Sequence, residues 1–396
     1  MRLLSVEIDH TAPLALRERF AFSERETEQA VGAACAQPGV SGSALLSTCN
    51  RTMLCLSVSD EFRIVPETLL CTLRGLKTEA TRYIAVKEGA AAARRLFETT
   101  CGLRSRLRFE EQIISQVRQA LAISHRAGCT DEYIERLFQS AVACGKKARA
   151  TVPVKPGDAS KQILEVIRSA FPSVEGLRCL VIGSGQMGRL TAQTLNAQGA
   201  RVMVTTRQYH YGCSVAPQGC AAVPYEQRCT ALANSDVAVG ATRSPHYTLT
   251  IAQAGNILSD GRPRLLIDLA VPRDFEPGLG GLGRTRLVDI DALYGGTADT
   301  ETSAATLQTG YIVDEAVSEF SRWLSQRWQL PLLQAAAAAV ADKLNRHTVD
   351  SPDRYHEAAA QVLLSLFCEL QKTCGDALTE PLSAYAEKYG GKAAQP

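Results

Sequence analysis

The segment "LLSTCNRT", residues 45–52, sets one cysteine, Cys49, among hydroxyls, a carboxamide and the guanidinium of Arg51. A thiolate is a strong nucleophile, and a nearby cation favours it over the thiol. An apolar run ends here, so the thiol is expected where a strand meets its loop. Taken alone, a cysteine is more often a small buried apolar residue than a nucleophile. A second signature adds chemistry. "LVIGSGQMGRLTAQTL" carries Gly183-x-Gly185-x-x-Gly188 after an apolar strand and at the opening of a helix, the context a dinucleotide loop requires. The first glycine permits the tight turn, the second lets backbone approach a pyrophosphate, and the third allows close helix–strand packing. The helix start, with Gln186 and Met187, then offers unpaired N–H groups to the phosphates. The next strand ends in "VTTRQ", with Thr205, Thr206 and Arg207 where an NAD site usually has an acid. A cation with hydroxyls suits a ribose 2′-phosphate, so NADPH is the expected cofactor. The alternative is that Arg207 is a solvated strand-end charge. "GATRSP" puts Thr242 and Ser244 at another strand end, where the crevice of such a sheet lies. A thiol and a hydride donor in one chain point to a covalent acyl-enzyme reduced to an aldehyde.

The elements that must position these groups follow from periodicity. Residues 1 to about 155 mix short strands ("RLLSVEID", "GSALLSTCN") with helices. "LRFEEQIISQVRQALAISHRAG" sets Phe109, Ile113, Val117 and Leu121 on one helical face, and "ERLFQSAVACGKKARAT" is a helix with a basic end. "TVPVKPG" (151–157) reads as a linker. Beyond it, "RCLVIG", "ARVMVTT", "SDVAVGAT" and "PRLLIDLAV" are short apolar strands separated by helix-length segments, which predicts a parallel sheet. From about residue 298 the strands cease. Long helices follow, and such an all-helical tail, polar on one face, needs a partner surface, most simply a second copy of the chain.

At 396 residues the chain has room for two or three domains. Its net charge of +2 provides no global field for nucleic acid, although a local patch would suffice. No apolar stretch is long enough for a signal peptide or membrane span, so the cytoplasm is the expected compartment. The 13 cysteines form no CxxC pair and read as reduced thiols. Cys213, Cys220 and Cys229 come nearest to a cluster, but their spacing fits no zinc site, and no metal is expected.

At these motifs the chain resembles the glutamyl-tRNA reductase family, over nearly its whole length. "TAPLALRERF" (11–20), "LLSTCNRT" (45–52), "GLRSRLRFEEQIISQVRQA" (102–120), "VIGSGQMG", and "DLAVPRDFEP" (268–277) with "VDIDAL" (288–293) come in that family's order. The resemblance implies an α/β multidomain protein: an α+β catalytic domain over 1–156, a Rossmann-like NADPH-binding domain over 157–297, and an all-helical dimerisation domain over 298–396. It implies a homodimer that reduces glutamyl-tRNA(Glu) to glutamate 1-semialdehyde, opening the five-carbon route to tetrapyrroles. The semialdehyde aminomutase is an expected partner. By position, Cys49 is similar to the family's nucleophile. Thr48, Arg51, Ser105, Glu110, Gln112 and Gln116 match positions that hold the glutamate moiety. Arg51 also suits a carboxylate physically, through its planar fork; the alternative is a structural cap of the loop.

The chain departs from the family pattern at several places. Arg95 stands where the family commonly has a histidine assigned as general base, and arginine stays protonated near neutral pH. Arg104 replaces an aspartate, Phe109 a glycine, and Asp9-His10 stands where His-Lys is usual. Arg104, Arg106 and Arg108 alternate, which suits either a solvated face or contact with tRNA phosphates. Two rival readings remain: a paralogue that binds tRNA or a partner without catalysis, and an NADP-dependent dehydrogenase of a small metabolite. The second leaves "STCNR" and the helical tail without a role.

Overall fold

The computed structural model describes residues 1–76, 78–105, 112–152, 159–209, 212–213, 216–295 and 303–346, with the side chains of 78, 79, 159, 208, 209, 212, 213, 303 and 328–346 left aside. The first region contributes β1 (Arg2–Ile8), α1 (Leu14–Arg19), α2 (Glu24–Cys35), β2 (Val40–Ser47), β3 (Thr52–Val58), α3 (Pro66–Leu73), β4 (Ala85–Glu88), α4 (Ala90–Thr100), α5 (Gln112–Arg126) and α6 (Glu132–Thr151). Its four strands pair antiparallel in the order β2-β3-β1-β4. Side chains alternate between faces along each strand. Leu4, Val6, Ile8, Leu54 and Leu56 therefore join one core with Val31 and Leu70. The intervening Glu7 is buried as well, a charge inside the protein that must find partners.

The second region runs through α7 (Ala159–Ala170), β5 (Arg178–Ile182), α8 (Gln186–Ala197), β6 (Arg201–Thr206), the short pair β7 (Gln208–Tyr209) and β8 (Gly212–Cys213), β9 (Ala221–Pro224), α9 (Arg228–Ala233), β10 (Val237–Gly240), α10 (Ile251–Leu258), β11 (Pro263–Asp268), β12 (Arg284–Asp289) and α11 (Ile290–Tyr294). Six strands form a parallel sheet in the order β12-β11-β10-β5-β6-β9. This is the doubly wound order, and its direction reverses between β5 and β10, where such sheets bind ligands beyond the carboxyl ends of their strands. The central strands read as continuous apolar runs because helices cover both faces: Val181, Val204, Val239 and Ile267 pack on one side, Leu180, Ile182, Ala238 and Leu266 on the other.

By internal packing the chain divides into two compact units, Met1–Ser321 and Arg322–Pro396. Both sheets lie in the first unit, each with its own core, and residues 153–157 of the expected linker lie outside the described residues. The helix α12 (Ser303–Arg346) begins in the first unit, burying Thr309, Val313, Val317 and Phe320 at helical spacing. The helices expected beyond residue 346, and Arg106, Arg108, Phe109 and Glu110, lie outside the described residues. No described helix is long and apolar enough to cross a membrane.

Candidate active site

Cys49 sits at the tip of the β2–β3 hairpin, in a loop that spans residues 48–51. Ser47 and Thr52 are the last paired residues. Thr48 organises the loop. Its backbone N–H donates to the Arg51 carbonyl at 2.8 Å, and its hydroxyl accepts the N–H groups of Asn50 and Arg51, each at 3.2 Å. A threonine at this position thus supplies the hydrogen bonds that a four-residue turn needs.

Arg51 turns inward. Its side chain is 1% exposed and pairs with Glu7, itself 1% exposed, at 2.8 Å. The same guanidinium donates to the Thr99 hydroxyl at 2.8 Å and to the Arg104 carbonyl. The carboxylate that this fork holds is the protein's own. Arg95, at the position of the family's histidine, donates to the second Glu7 oxygen and to Asp9 at 2.8 Å. Glu7, Asp9, Arg51 and Arg95 form a charge-balanced cluster beneath the loop, which is how ions in a low-dielectric interior are tolerated. Burial works against ionised Asp9, but hydrogen bonds from Thr11 and the charges of His10 and Arg95 outweigh it and hold the carboxyl below its usual range.

A cavity of about 890 Å³ opens above the loop. It is lined by Thr48, Cys49, Gln112 and Gln116 from the first region and by Thr242, His246, Leu269, Ala270 and Arg273 from the second. Cys49, Thr48, Gln112, Gln116 and Thr242 are therefore brought together as their types suggest. Arg51 and Ser105 are not among its lining residues, and Glu110 lies outside the described residues. The Cys49 side chain is half-buried and packs against the core of the parallel sheet, in company with Met187, Ala241 and Val271. Cys49 thus lies beside Thr242 and Leu269, the residues that follow β10 and β11.

That edge fits a dinucleotide. Gly183 has φ +119°, and a Cβ on it would lie 2.5 Å from the Ala241 carbonyl. A Cβ on Gly188 would lie 2.0 Å from the Gly183 carbonyl, so only glycine fits either place. At Gly185 an added Cβ meets nothing within 4 Å, which leaves room for a ligand against the backbone. Gly185 caps α8 without a side-chain hydrogen bond, so the first N–H groups of the helix, at Gln186, Met187 and Gly188, receive no side-chain cap and suit a pyrophosphate. Thr205 accepts the Gly183 N–H at 3.0 Å and Thr206 reaches the Val223 carbonyl, so both hydroxyls serve the sheet. Arg207 stacks on the Tyr225 ring at 3.9 Å and brings a positive charge to the end of β6.

The loop after β11 closes the cavity floor and hangs on two buried acids. Asp268 accepts the N–H groups of Ala270 and Phe275, and Asp274 accepts the N–H and hydroxyl of Thr242. Burial, and then the charge of Asp274, pushes the Asp268 carboxyl up to about 8. Burial pushes Asp274 up to about 6 against the hydrogen bonds of Thr242.

Residue types and spacing gave no sign of Arg17, Glu18, Arg273 and Asp291. Arg17 donates to the Cys49 carbonyl at 2.9 Å and pairs with Asp291, while Glu18 pairs with Arg273. Their one signal was membership of the "TAPLALRERF", "DLAVPRDFEP" and "VDIDAL" stretches.

A family model described as "Glutamyl-tRNAGlu reductase, N-terminal domain" matches residues 6–152, and one described as "Shikimate / quinate 5-dehydrogenase" matches residues 165–295. A protein of Acetivibrio thermocellus named glutamyl-tRNA reductase is 34% identical over 337 residues, covering 84% of this chain and 100% of that protein. One of Alkaliphilus oremlandii with the same name is 32% identical over 329 residues, covering 82% and 97%. Among solved structures, glutamyl-tRNA reductase from Methanopyrus kandleri is similar at 26% identity, over 98% of this chain and 94% of that one, with a TM-score of 0.44.

Proposed function

Because the chain belongs to the glutamyl-tRNA reductase family, we propose that it reduces glutamyl-tRNA(Glu) with NADPH to glutamate 1-semialdehyde, the first step of tetrapyrrole biosynthesis. Cys49 shares one cavity with the residues that follow β10 and β11 in the nucleotide sheet, and that arrangement supports two half-reactions in one place. In the first, the Cys49 thiolate attacks the ester carbonyl between glutamate and the tRNA 3′ end. A C–S bond forms, the C–O bond breaks, and the released tRNA hydroxyl takes a proton. In the second, the thioester carbonyl gains a hydride and loses the Cys49 sulfur, which departs as thiolate and is then protonated. A reduced nicotinamide held at the glycine loop supplies that hydride when bound.

Thr48, Gln112 and Gln116 line the cavity, which supports the reading that they hold the glutamyl group; Arg51, Ser105 and Glu110 are the other members of the set that the family resemblance implies. Arg51 acts from beneath, fixing the loop through Glu7. Arg95 is bound by Glu7 and Asp9 and cannot release a proton, so proton transfer belongs to another group or to water. Arg207 favours NADPH over NADH. The chain works in the cytoplasm as a homodimer through its helical C-terminal region, and it passes its reactive aldehyde to the aminomutase that consumes it.

Incubation with glutamyl-tRNA(Glu) and NADPH should release the aldehyde. Cys49→Ser should lower that rate by roughly 10⁴-fold or more without a change in thermal stability. Aldehyde production by the variant at near the wild-type rate would remove Cys49 as nucleophile.

A further inference from the structure

We propose that Arg17 and Glu18 clamp the Cys49 loop onto the nucleotide half of the protein, as positioning residues for the reduction step and not for acyl transfer. The inference rests on the two half-reactions proposed above. Arg17 is 3% exposed, and each guanidinium nitrogen has a different acceptor. Nε donates to the Ala12 carbonyl at 3.2 Å, Nη1 to the Cys49 carbonyl at 2.9 Å, and Nη2 to Asp291 at the start of α11. The fork is planar and rigid, so it fixes the backbone of the nucleophile relative to a carboxylate of the other half. The adjacent Glu18 accepts three bonds from Arg273: the backbone N–H at 2.8 Å, Nε at 2.7 Å and Nη2 at 2.6 Å. Arg273 belongs to the loop after β11 that lines the cavity, and its pairing with Glu18 raises its already high pKa further. Leu14, from the same short helix, is buried in the core cluster of the parallel sheet beside Cys49.

The chemistry makes the two steps differ in what they need. Acyl transfer joins the thiol to a tRNA ester at the hairpin tip and needs no hydride donor from the parallel sheet. Reduction requires the thioester carbonyl within about 3–3.5 Å of a donor carried by that sheet, and a displacement of about 1 Å costs on the order of 10²-fold. A loosened clamp should therefore act on the second step alone.

Asp291→Asn and Glu18→Gln loosen the two bridges separately while nearly preserving side-chain shape. Each would be compared with wild type in three measurements: NADPH binding by fluorescence titration, single-turnover transfer of labelled glutamate from tRNA to protein without NADPH, and single-turnover reduction after NADPH is added. The expected outcome is label transfer and NADPH affinity within about twofold of wild type, with reduction slowed roughly tenfold to a hundredfold. Equal loss of both steps, or no loss of either, in a variant that unfolds at the wild-type temperature overturns the clamp. If Asp291→Asn fails to fold, the same split sought in Glu18→Gln decides the matter. A wild-type protein that takes up no label would instead overturn the thioester reading itself, and the clamp with it.

Discussion

Glu7 holds two arginines, and that single fact sets what Arg51 and Arg95 can do. Both guanidinium groups meet its carboxylate under the hairpin loop. Removing its charge would leave Arg51, 2% exposed, with neutral acceptors only. Breaking a buried pair from one side costs about 3–5 kcal/mol. Glu7→Gln should therefore lower unfolding stability in urea by about that amount, and its activity should fall because the loop carrying Cys49 loses its footing. A stability change below about 1 kcal/mol would mean that the cluster is not closed as described. At the other end of the site, Arg207 is exposed beside the ring of Tyr225 and carries the proposed choice of cofactor. Arg207→Asp should weaken NADPH far more than NADH, as read from the ratio of their KM values. Equal losses would show that Arg207 does not meet the 2′-phosphate.

Among the elements, the loop after β11 joins the cavity to pH. Burial, and then the charge of Asp274, pushes the Asp268 carboxyl up to about 8 in the folded chain, from an ordinary value of 3.8. Its folded pKa is raised, so the folded state favours the protonated acid. The stabilisation is complete below the ordinary carboxylate range and is lost as pH rises toward about 8. Asp274 adds the same sign over a narrower window, up to about 6. Urea unfolding of wild type between pH 5 and 9 should show stability falling with rising pH. Asp268→Asn cannot ionise and should show a shallower fall over the same range. Parallel curves for the two proteins would rule out Asp268 as the source. The glycine loop and the hairpin loop were both readable as elements from contiguous motifs, and the structure gives the local reasons: no Cβ fits at Gly183 or Gly188, and Thr48 caps its own turn.

At the scale of the molecule, the first unit holds both sheets and the cavity, while residues 322–396 form the second unit. The proposed homodimer is tested directly by sedimentation of the full chain at micromolar concentration, where a mass near twice that of the 42.7 kDa chain is expected. A monomer under those conditions would remove the dimer and leave the helical tail without its proposed purpose.

Local pattern determined a good deal of this protein. Apolar runs spaced by helix-length segments marked β5, β6, β10 and β11, and the glycine spacing marked the nucleotide loop, because both are encoded within a few neighbouring residues. The resemblance singled out Cys49 in the same way, through a contiguous motif. Strands such as β9 and β12 carried weaker local signals: β9 is largely exposed, and exposed positions interrupt β12. What only the folded chain decided was pairing across distance. The fork of Arg51 suited a substrate carboxylate as well as a structural one, and Glu7, 44 positions away, settled which carboxylate it meets in this structure. Arg95 read as a missing base until Glu7 and Asp9 stood beside it. Residue type and spacing gave no sign of Arg17, whose partner Asp291 lies 274 positions along the chain. A charge announces its need for a partner in the sequence, but the identity of that partner depends on which surfaces the two sheets bring together.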